Sequence, residues 1–197
     1  MNKLALFDFD NTITKKDTML EFCKYCAGPL KYYYGLFLIA PIIILLKLKI
    51  IKSQQAKELM LRLFFKGCDI TEIQKMAISF SQKRLPGLIY KDALNKISWH
   101  KEQGHDIFIV SASVDTWIEP WCKTMQLGLI SSKFEIKKGK LTGKLVGKNC
   151  NGEEKVFQIR KDINLNNYSE IYAYGDSTGD KPMLALATYQ YWKPFNV

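Results

Sequence analysis

The chain has 197 residues, of which 47% are hydrophobic and 24% charged, with 6 prolines and a formal charge of +10. That length holds one domain of ordinary size, or a core with a small insertion, and the apolar content excludes an intrinsically disordered chain. The basic excess attracts anions of any kind (nucleic acid, acidic membrane, phosphorylated metabolites) and equally describes the solvated surface of a lysine-rich protein.

Leu4-Ala5-Leu6-Phe7 reads as a short apolar strand ending in acidic residues. Because a strand pattern follows Met1 directly, no signal peptide is expected to precede it, and a reducing cytoplasm is the expected compartment. Residues 17 to 27 read as a helix with Asp17 or Thr18 near its N-cap. Cys23 and Cys26 form a C-x-x-C without a second pair, so these and Cys68, Cys122 and Cys150 are expected to be free thiols.

The next stretch, Tyr32 to Ile51, is almost wholly apolar. Its uncharged part, Tyr32 to Leu46, would span about 22 Å as a helix, short of the roughly 30 Å of a bilayer's hydrocarbon. Pro41 is expected to kink it. It reads either as a buried helix or as an interfacial element, with Tyr32, Tyr33 and Tyr34 at one end and Lys47, Lys49 and Lys52 at the other.

Ser53 to Phe65 and Ile70 to Arg84 read as amphipathic helices, the second opened by Asp69 or Thr71 with Glu72 in its first turn. Pro86-Gly87 interrupts the pattern and a helix from about Leu88 to Gln103 follows. Asp106 to Val110 reads as a buried strand, Asp115 to Met125 as a helix, and Phe134 to Leu145 as a hairpin turning at Lys138-Gly139-Lys140. Gly152 to Lys161 reads as a helix, Ile171 to Tyr174 as a strand and Lys181 to Ala187 as a helix. Strands followed repeatedly by helices predict an α/β fold, a parallel sheet with helices on both faces. Asp8, Asp10, Ser111 and Asp176 then fall at the C-terminal ends of strands, the edge where such sheets bind ligands.

Asp8-Phe9-Asp10-Asn11-Thr12 places two carboxylates two residues apart just past a strand. One can attack phosphorus as an ionised nucleophile while the other holds a proton for the leaving group. Their closeness disfavours double ionisation, and a Mg²⁺ ion would keep the nucleophile charged. The same residues could equally form a polar turn that caps a helix. Ser111, ending Ile109-Val110-Ser111, could donate to a phosphoryl oxygen or simply cap the next helix. In Gly175-Asp176-Ser177-Thr178-Gly179-Asp180, Gly175 is expected to permit a tight turn, Asp176 to offer a hard cation an oxygen and Asp180 to support it. Lys155 could neutralise phosphoryl oxygens in the transition state, or lie on the surface among 29 basic residues.

These four elements, in this order, resemble the haloacid dehalogenase superfamily of phosphohydrolases: D-x-D-x-T at Asp8 to Thr12, the strand-end Ser111, Lys155, and G-D-S-x-x-D at Gly175 to Asp180. The resemblance implies a Rossmann-like core formed by 1–14 and 87–197, with an α-helical cap, 15–86, inserted after the first strand. It implies Asp8 as nucleophile, Asp10 as general acid then base, and Ser111, Ala112 and Lys155 as phosphate binders. It further implies Mg²⁺ held by Asp8, Asp176 and the Asp10 backbone carbonyl, with Asp180 in support. An Asp at position 10 favours a phosphatase over a dehalogenase, which lacks this acid.

The cap position resembles the phosphoserine phosphatase-like branch, with departures. Asp17 stands where that enzyme has a Glu for the substrate ammonium, and Ala112-Ser113 replaces paired glycines; Asp17 and Ser113 are thus the candidate specificity residues. Arg62 lies in the region of its carboxylate-binding Arg, in an unfixed register. Phosphoserine is therefore not the favoured substrate. The apolar stretch resembles caps of C-type phosphatidylglycerophosphatases, which implies a small metabolite phosphate or a lipid phosphate as substrate, with peripheral membrane contact through 32–52. A non-catalytic phosphate sensor or phospho-acceptor is the alternative, against which Asp10 argues. Charge alone suggests nucleic acid; with no recognised binding motif, it is not an expected partner.

Overall fold

Strand β1 (Asn2–Phe7) lies at the centre of the sheet because both of its faces are apolar. The computed structural model describes residues 2–48 and 52–195, without the side chains of residues 42–47; Lys49 and the Lys47 side chain thus lie outside the described residues. Side chains alternate across a strand. Leu4 and Leu6 accordingly pack with Val110, Ile159, Ala173 and Met183 on one face. Ala5 and Phe7 join Ile107, Ile109, Tyr172 and Tyr174 on the other.

Around it stand β2 (Asp106–Val114), β3 (Gly128–Ser132), β6 (Tyr168–Gly175) and β7 (Tyr189–Trp192) in the order β3-β2-β1-β6-β7, all parallel. The chain winds outward in one direction through β2 and β3, and in the other through β6 and β7. The switch point, where a ligand crevice opens in such sheets, therefore falls between β1 and β6. The hairpin β4 (Phe134–Lys137) and β5 (Lys140–Leu145) forms a separate pair. This is the α/β architecture expected from the alternation of elements. Strands β3 and β7 were not anticipated.

A ring ladder ties the centre of the sheet together. Phe7 stacks on Tyr174 with centroids 4.2 Å apart, and Tyr174 on Tyr191 at 4.6 Å, following the strand register. Below it, His100 of helix α5 (Lys91–Glu102) is fully buried, with Nε2 2.9 Å from the Tyr174 hydroxyl and Nδ1 2.7 Å from His105 Nδ1. Burial, with His105 and Lys96 assisting, holds its pKa down to about 3. The unfolded chain takes up this proton near pH 6.5, so the stability His100 contributes is present above that pH and is lost as pH falls toward 3. His100→Gln is therefore expected to flatten the acid side of the stability curve between those pH values, read from urea midpoints at successive pH.

Among the described residues, four α-helices lie between β1 and α5: α1 (Thr18–Ala27), α2 (Pro29–Lys47), α3 (Ser53–Phe65) and α4 (Ile70–Lys83). Asp17 caps α1 by accepting from the Leu20 N–H, and Gly28, with φ of 74°, ends it. Pro29 opens α2, which runs on through Pro41. An aromatic cluster fastens this group to the rest of the protein. Phe22 of α1 packs on Phe65 of α3, Phe80 of α4 and Trp117, which belongs to α6 (Asp115–Thr124); Phe65 and Trp117 both meet Phe134.

Several boundaries differ from the sequence reading. The helix expected from Leu88 begins at Lys91, after a three-ten turn over Leu85–Leu88 that Pro86 opens. That expected from Lys181 to Ala187 stops at Leu184. Helix α7 (Glu153–Asp162) lies one residue later than expected at each end. All five cysteines are free, and Cys23, being buried, has its thiol pushed well above the ordinary value.

Candidate active site

Asp8 leaves β1 at its C-terminal end, where its N–H donates to the Tyr174 carbonyl of β6. Asn11 then takes a left-handed φ of 59°, which Asn tolerates better than most residues, and the chain doubles back. The fold-back brings Thr12 Oγ1 to 2.9 Å from Asp8 Oδ2 and 3.0 Å from Asp176 Oδ1. The first and last acidic motifs, 164 residues apart, thus meet at one hydroxyl.

Lys155, in the first turn of α7, is aimed inward and only 1% exposed. Its three N–H bonds go to Asp8 Oδ1 at 2.6 Å, Asp180 Oδ1 at 2.6 Å and the Val110 carbonyl at 2.8 Å. Burial works against its charge, but the two carboxylates outweigh it and raise its pKa. Asp8 is buried as well, which pushes its carboxyl up to about 7, with Lys155 pulling the other way and Asp180 adding to the rise. Asp180 is also buried, yet Lys155 and the Ser177 donors hold it below the usual carboxylate range. Its Oδ2 accepts from the N–H groups of Asp176 and Ser177 and from the Ser177 hydroxyl, which fixes the loop that carries Asp176.

Gly175 was expected to permit a tight turn. Its φ is not left-handed; what matters is space, since a Cβ there would lie 2.5 Å from the Asp180 Cβ. The glycine lets Asp180 fold back over the strand end.

Asp10 faces the start of α1. Its Oδ1 accepts from both the N–H and the hydroxyl of Thr18, each at 2.6 Å, and the same hydroxyl accepts from Trp117 Nε1 at 3.1 Å. A buried chain of donors, anchored in the aromatic cluster, therefore holds this carboxylate. Ser111, fully buried, stands 3.4 Å from Asp10 Oδ2 and accepts from the Ser113 N–H at 3.0 Å. The alternative reading of Ser111 as a helix cap does not hold: α6 starts at Asp115, as expected, but the strand expected to end at Val110 runs past Ser111. Strand β2 continues to Val114, with an irregular register between Ser111 and Val114, so the start of α6 lies four residues beyond Ser111.

A cavity of about 150 Å³ opens over Asp8, Asp10, Ala112, Ser113, Asp176 and Lys155. Asp17 lines it too, and burial followed by Asp10 pushes its carboxyl up to about 6. Arg62 does not. It is exposed, and its Cα and Cγ lie where a Cβ on Gly143 of β5 would fall. The α3 cation at the cavity is Lys57, whose Nζ donates to the Ala112 carbonyl at 2.8 Å and Asn149 Oδ1 at 2.9 Å. Burial lowers its pKa, against the pull of Asp10 and Asp17.

Asp8, Asp176 and Asp180 each offer an oxygen, all within 4.8 Å of one another. This set is hard, anionic and free of sulfur or imidazole, and so fits Mg²⁺. Asp180 accepts from four protein donors, against two at Asp8 and one at Asp176, which suits it to support rather than ligation.

Carboxylates at the ends of β1 and β6, a buried lysine between them and a doubly wound sheet beneath define a hydrolase of the haloacid dehalogenase type. The chain belongs to that family, the haloacid dehalogenase-like hydrolases, whose profile matches residues 5–185. Among individual proteins, it is 31% identical to Protein CicA of Caulobacter vibrioides, over 98% of this chain and 86% of that one. It is 28% identical to the probable phosphatase Rv3661 of Mycobacterium tuberculosis, over 91% of this chain and 64% of the relative. A solved phospho-aspartyl intermediate analogue of phosphoserine phosphatase superposes with a TM-score of 0.63 at 26% identity, covering 94% of this chain and 83% of that one.

The Thr18 contact gives a direct expectation. A hydrogen bond to a charged group contributes about 1.5–3 kcal/mol, so if Asp10 is the acid that protonates the leaving group, Thr18→Val should slow hydrolysis of alkyl phosphates by roughly 10-fold or more. p-Nitrophenyl phosphate, whose leaving group needs little protonation, should suffer less. Equal losses on both substrates would show that Thr18 acts on the fold and not through Asp10.

Proposed function

We propose that the chain is a magnesium-dependent phosphomonoester hydrolase that works through an aspartyl-phosphate on Asp8. The observation that carries this reading is the Thr12 hydroxyl joining Asp8 to Asp176 while Lys155 joins Asp8 to Asp180. Such a cluster is costly to bury without a role for its charge. In this reading Asp8 attacks phosphorus and the P–O bond to the alcohol breaks, as Asp10 passes a proton to the departing oxygen. Asp10 then takes a proton from water, which attacks the acyl-phosphate and frees phosphate and Asp8. Lys155 balances charge on the phosphoryl oxygens, and Ser111 and the backbone at Ala112 hold them. Asp8, Asp176 and the Asp10 carbonyl would hold Mg²⁺, which when bound would neutralise charge at the phosphoryl group.

The substrate class follows from the cavity and its rim. About 150 Å³ is below the roughly 300–1,000 Å³ of sites that engulf a whole small molecule. The cavity thus takes the phosphoryl end, with Asp17, Ser113 and Lys57 meeting what lies beyond it. The helices of 15–86 serve as the cap that supplies this rim. Both a small metabolite phosphate and a lipid phosphate meet these terms. The phosphoserine phosphatase neighbour supports an amino-acid phosphate as the second reading. A screen of amino-acid, sugar, nucleotide and lipid phosphates separates them.

The metal has its own test. Exhaustive EDTA treatment should remove turnover and added Mg²⁺ restore it. Asp176→Ala should raise the Mg²⁺ requirement sharply, and Asp180→Asn less so. Full activity in EDTA would contradict the assignment.

A further inference from the structure

Helix α2 is apolar on every side, but the fold covers only part of it. Tyr32 and Ile39 are buried, and Gly35 brings the helix so close to α3 that a Cβ there would lie 2.6 Å from the Phe64 ring. On the opposite side Leu30, Tyr33, Tyr34, Phe37 and Leu38 recur at helical spacing and stand exposed, Leu30 by 87% and Phe37 by 76%. A contiguous apolar stripe of this kind on a surface marks an interaction site.

The charges around the stripe decide its partner. Between Glu21 and Glu58 the chain has no acidic residue but five lysines, Lys24, Lys31, Lys47, Lys49 and Lys52, apart from Lys57, which faces the cavity. Lys24 Nζ lies 3.3 Å from the Tyr33 hydroxyl, so a cation borders the stripe directly. A second copy would pair the stripe with itself and set these lysines against one another, with no carboxylate of the segment to relieve them. An anionic bilayer satisfies both features, taking apolar side chains into its acyl boundary and lysines at its headgroups. Tyrosines such as Tyr33 and Tyr34 suit that boundary. One side of the helix stays packed on α3, so the helix would lie in the plane of the surface; among the described residues no helix is long and apolar enough to cross a membrane.

We propose that α2 docks on an anionic lipid surface through Leu30, Tyr33, Tyr34, Phe37 and Leu38, with the flanking lysines at the headgroups. The inference involves no active-site group, so it stands or falls apart from the phosphatase reading. The full chain should sediment with phosphatidylcholine vesicles containing phosphatidylglycerol at low salt, and far less with phosphatidylcholine alone. Leu30→Ser with Phe37→Ser should lower partitioning at least 10-fold, with hydrolysis of p-nitrophenyl phosphate and the thermal midpoint unchanged. Changing Lys24, Lys31 and Lys47 to Gln should remove the salt-dependent part. Failure to bind anionic vesicles at low salt overturns the proposal, as does undiminished binding by the serine variant. A concentration-dependent dimer that Phe37→Ser dissolves, without vesicle binding, would give the stripe to a second copy instead.

Discussion

Asp8→Asn should abolish turnover of p-nitrophenyl phosphate while leaving the fold standing. The amide keeps the shape of the side chain: its one oxygen can still accept from Lys155, 2.6 Å from Asp8 Oδ1, while its NH₂ takes the place of Oδ2 and can donate to the Thr12 oxygen, whose own proton then goes to Asp176. What it loses is the charge that attacks phosphorus, and with it the covalent route. Lys155 retains Asp180 at 2.6 Å, so the variant does not leave a buried ammonium wholly unpaired, and a loss of about 1–3 kcal/mol of stability is the most expected. A single turnover of the unaltered protein in ¹⁸O-water should place the solvent oxygen in the released phosphate and leave the Asp8 carboxylate unlabelled, because water attacks phosphorus, where Lys155 and Ser111 hold the oxygens, and the P–O bond to Asp8 breaks. Near-normal activity of Asp8→Asn would reject the mechanism, whatever the labelling result.

The second large effect is expected at Asp10. General acid–base catalysis contributes about 10²–10⁴-fold, and Asp10→Asn should cost that much with alkyl phosphates and clearly less with p-nitrophenyl phosphate. Here the geometry adds a condition. Asp10 Oδ1 already accepts two bonds from Thr18 at 2.6 Å, so Oδ2, on the Ser111 side, is the oxygen free to exchange a proton. The amide can still place its oxygen toward Thr18 and its NH₂ toward Ser111, so the carboxamide is held in place and fails only as an acid. Equal losses for good and poor leaving groups would assign Asp10 another role.

Much of this site could be read from the chain alone, for a physical reason. The C-terminal parts of β1 and β6, from Leu4 and from Ile171, are apolar and buried on both faces, so their ends are sharply marked by Asp8 and by Gly175-Asp176. Strand β3 escaped because Gly-Leu-Ile-Ser-Ser is half polar, and β7 because its Tyr-Gln-Tyr-Trp lies at a largely exposed edge. The continuation of β2 through Ser111-Ala112-Ser113 escaped for a related reason: small residues carry little strand preference, and the neighbouring strand imposes the pairing.

The residues that place the acidic groups were harder to see. Lys57 resembles any surface lysine of a basic helix. Its signal was its position three and four residues before Met60 and Leu61, which are buried on the same face. Thr18 gave no signal, since the seven residues between it and Asp10 follow no period and only the fold closes them. Gly175 was singled out for the wrong property, because crowding by Asp180 is invisible to any rule about backbone angles.

The burial of His100 beneath the ring ladder has a chemical consequence at some distance from it. The chain has two histidines, and the other, His105, is the one that lies against His100. Neither lines the cavity over Asp8. In the proposed mechanism no imidazole carries a proton, so a fall in rate on acidification over the pH range in which the fold stays intact is expected to report the site carboxylates. Acylation by diethyl pyrocarbonate, which disables enzymes that rely on a histidine proton shuttle, should leave the initial rate of this one intact.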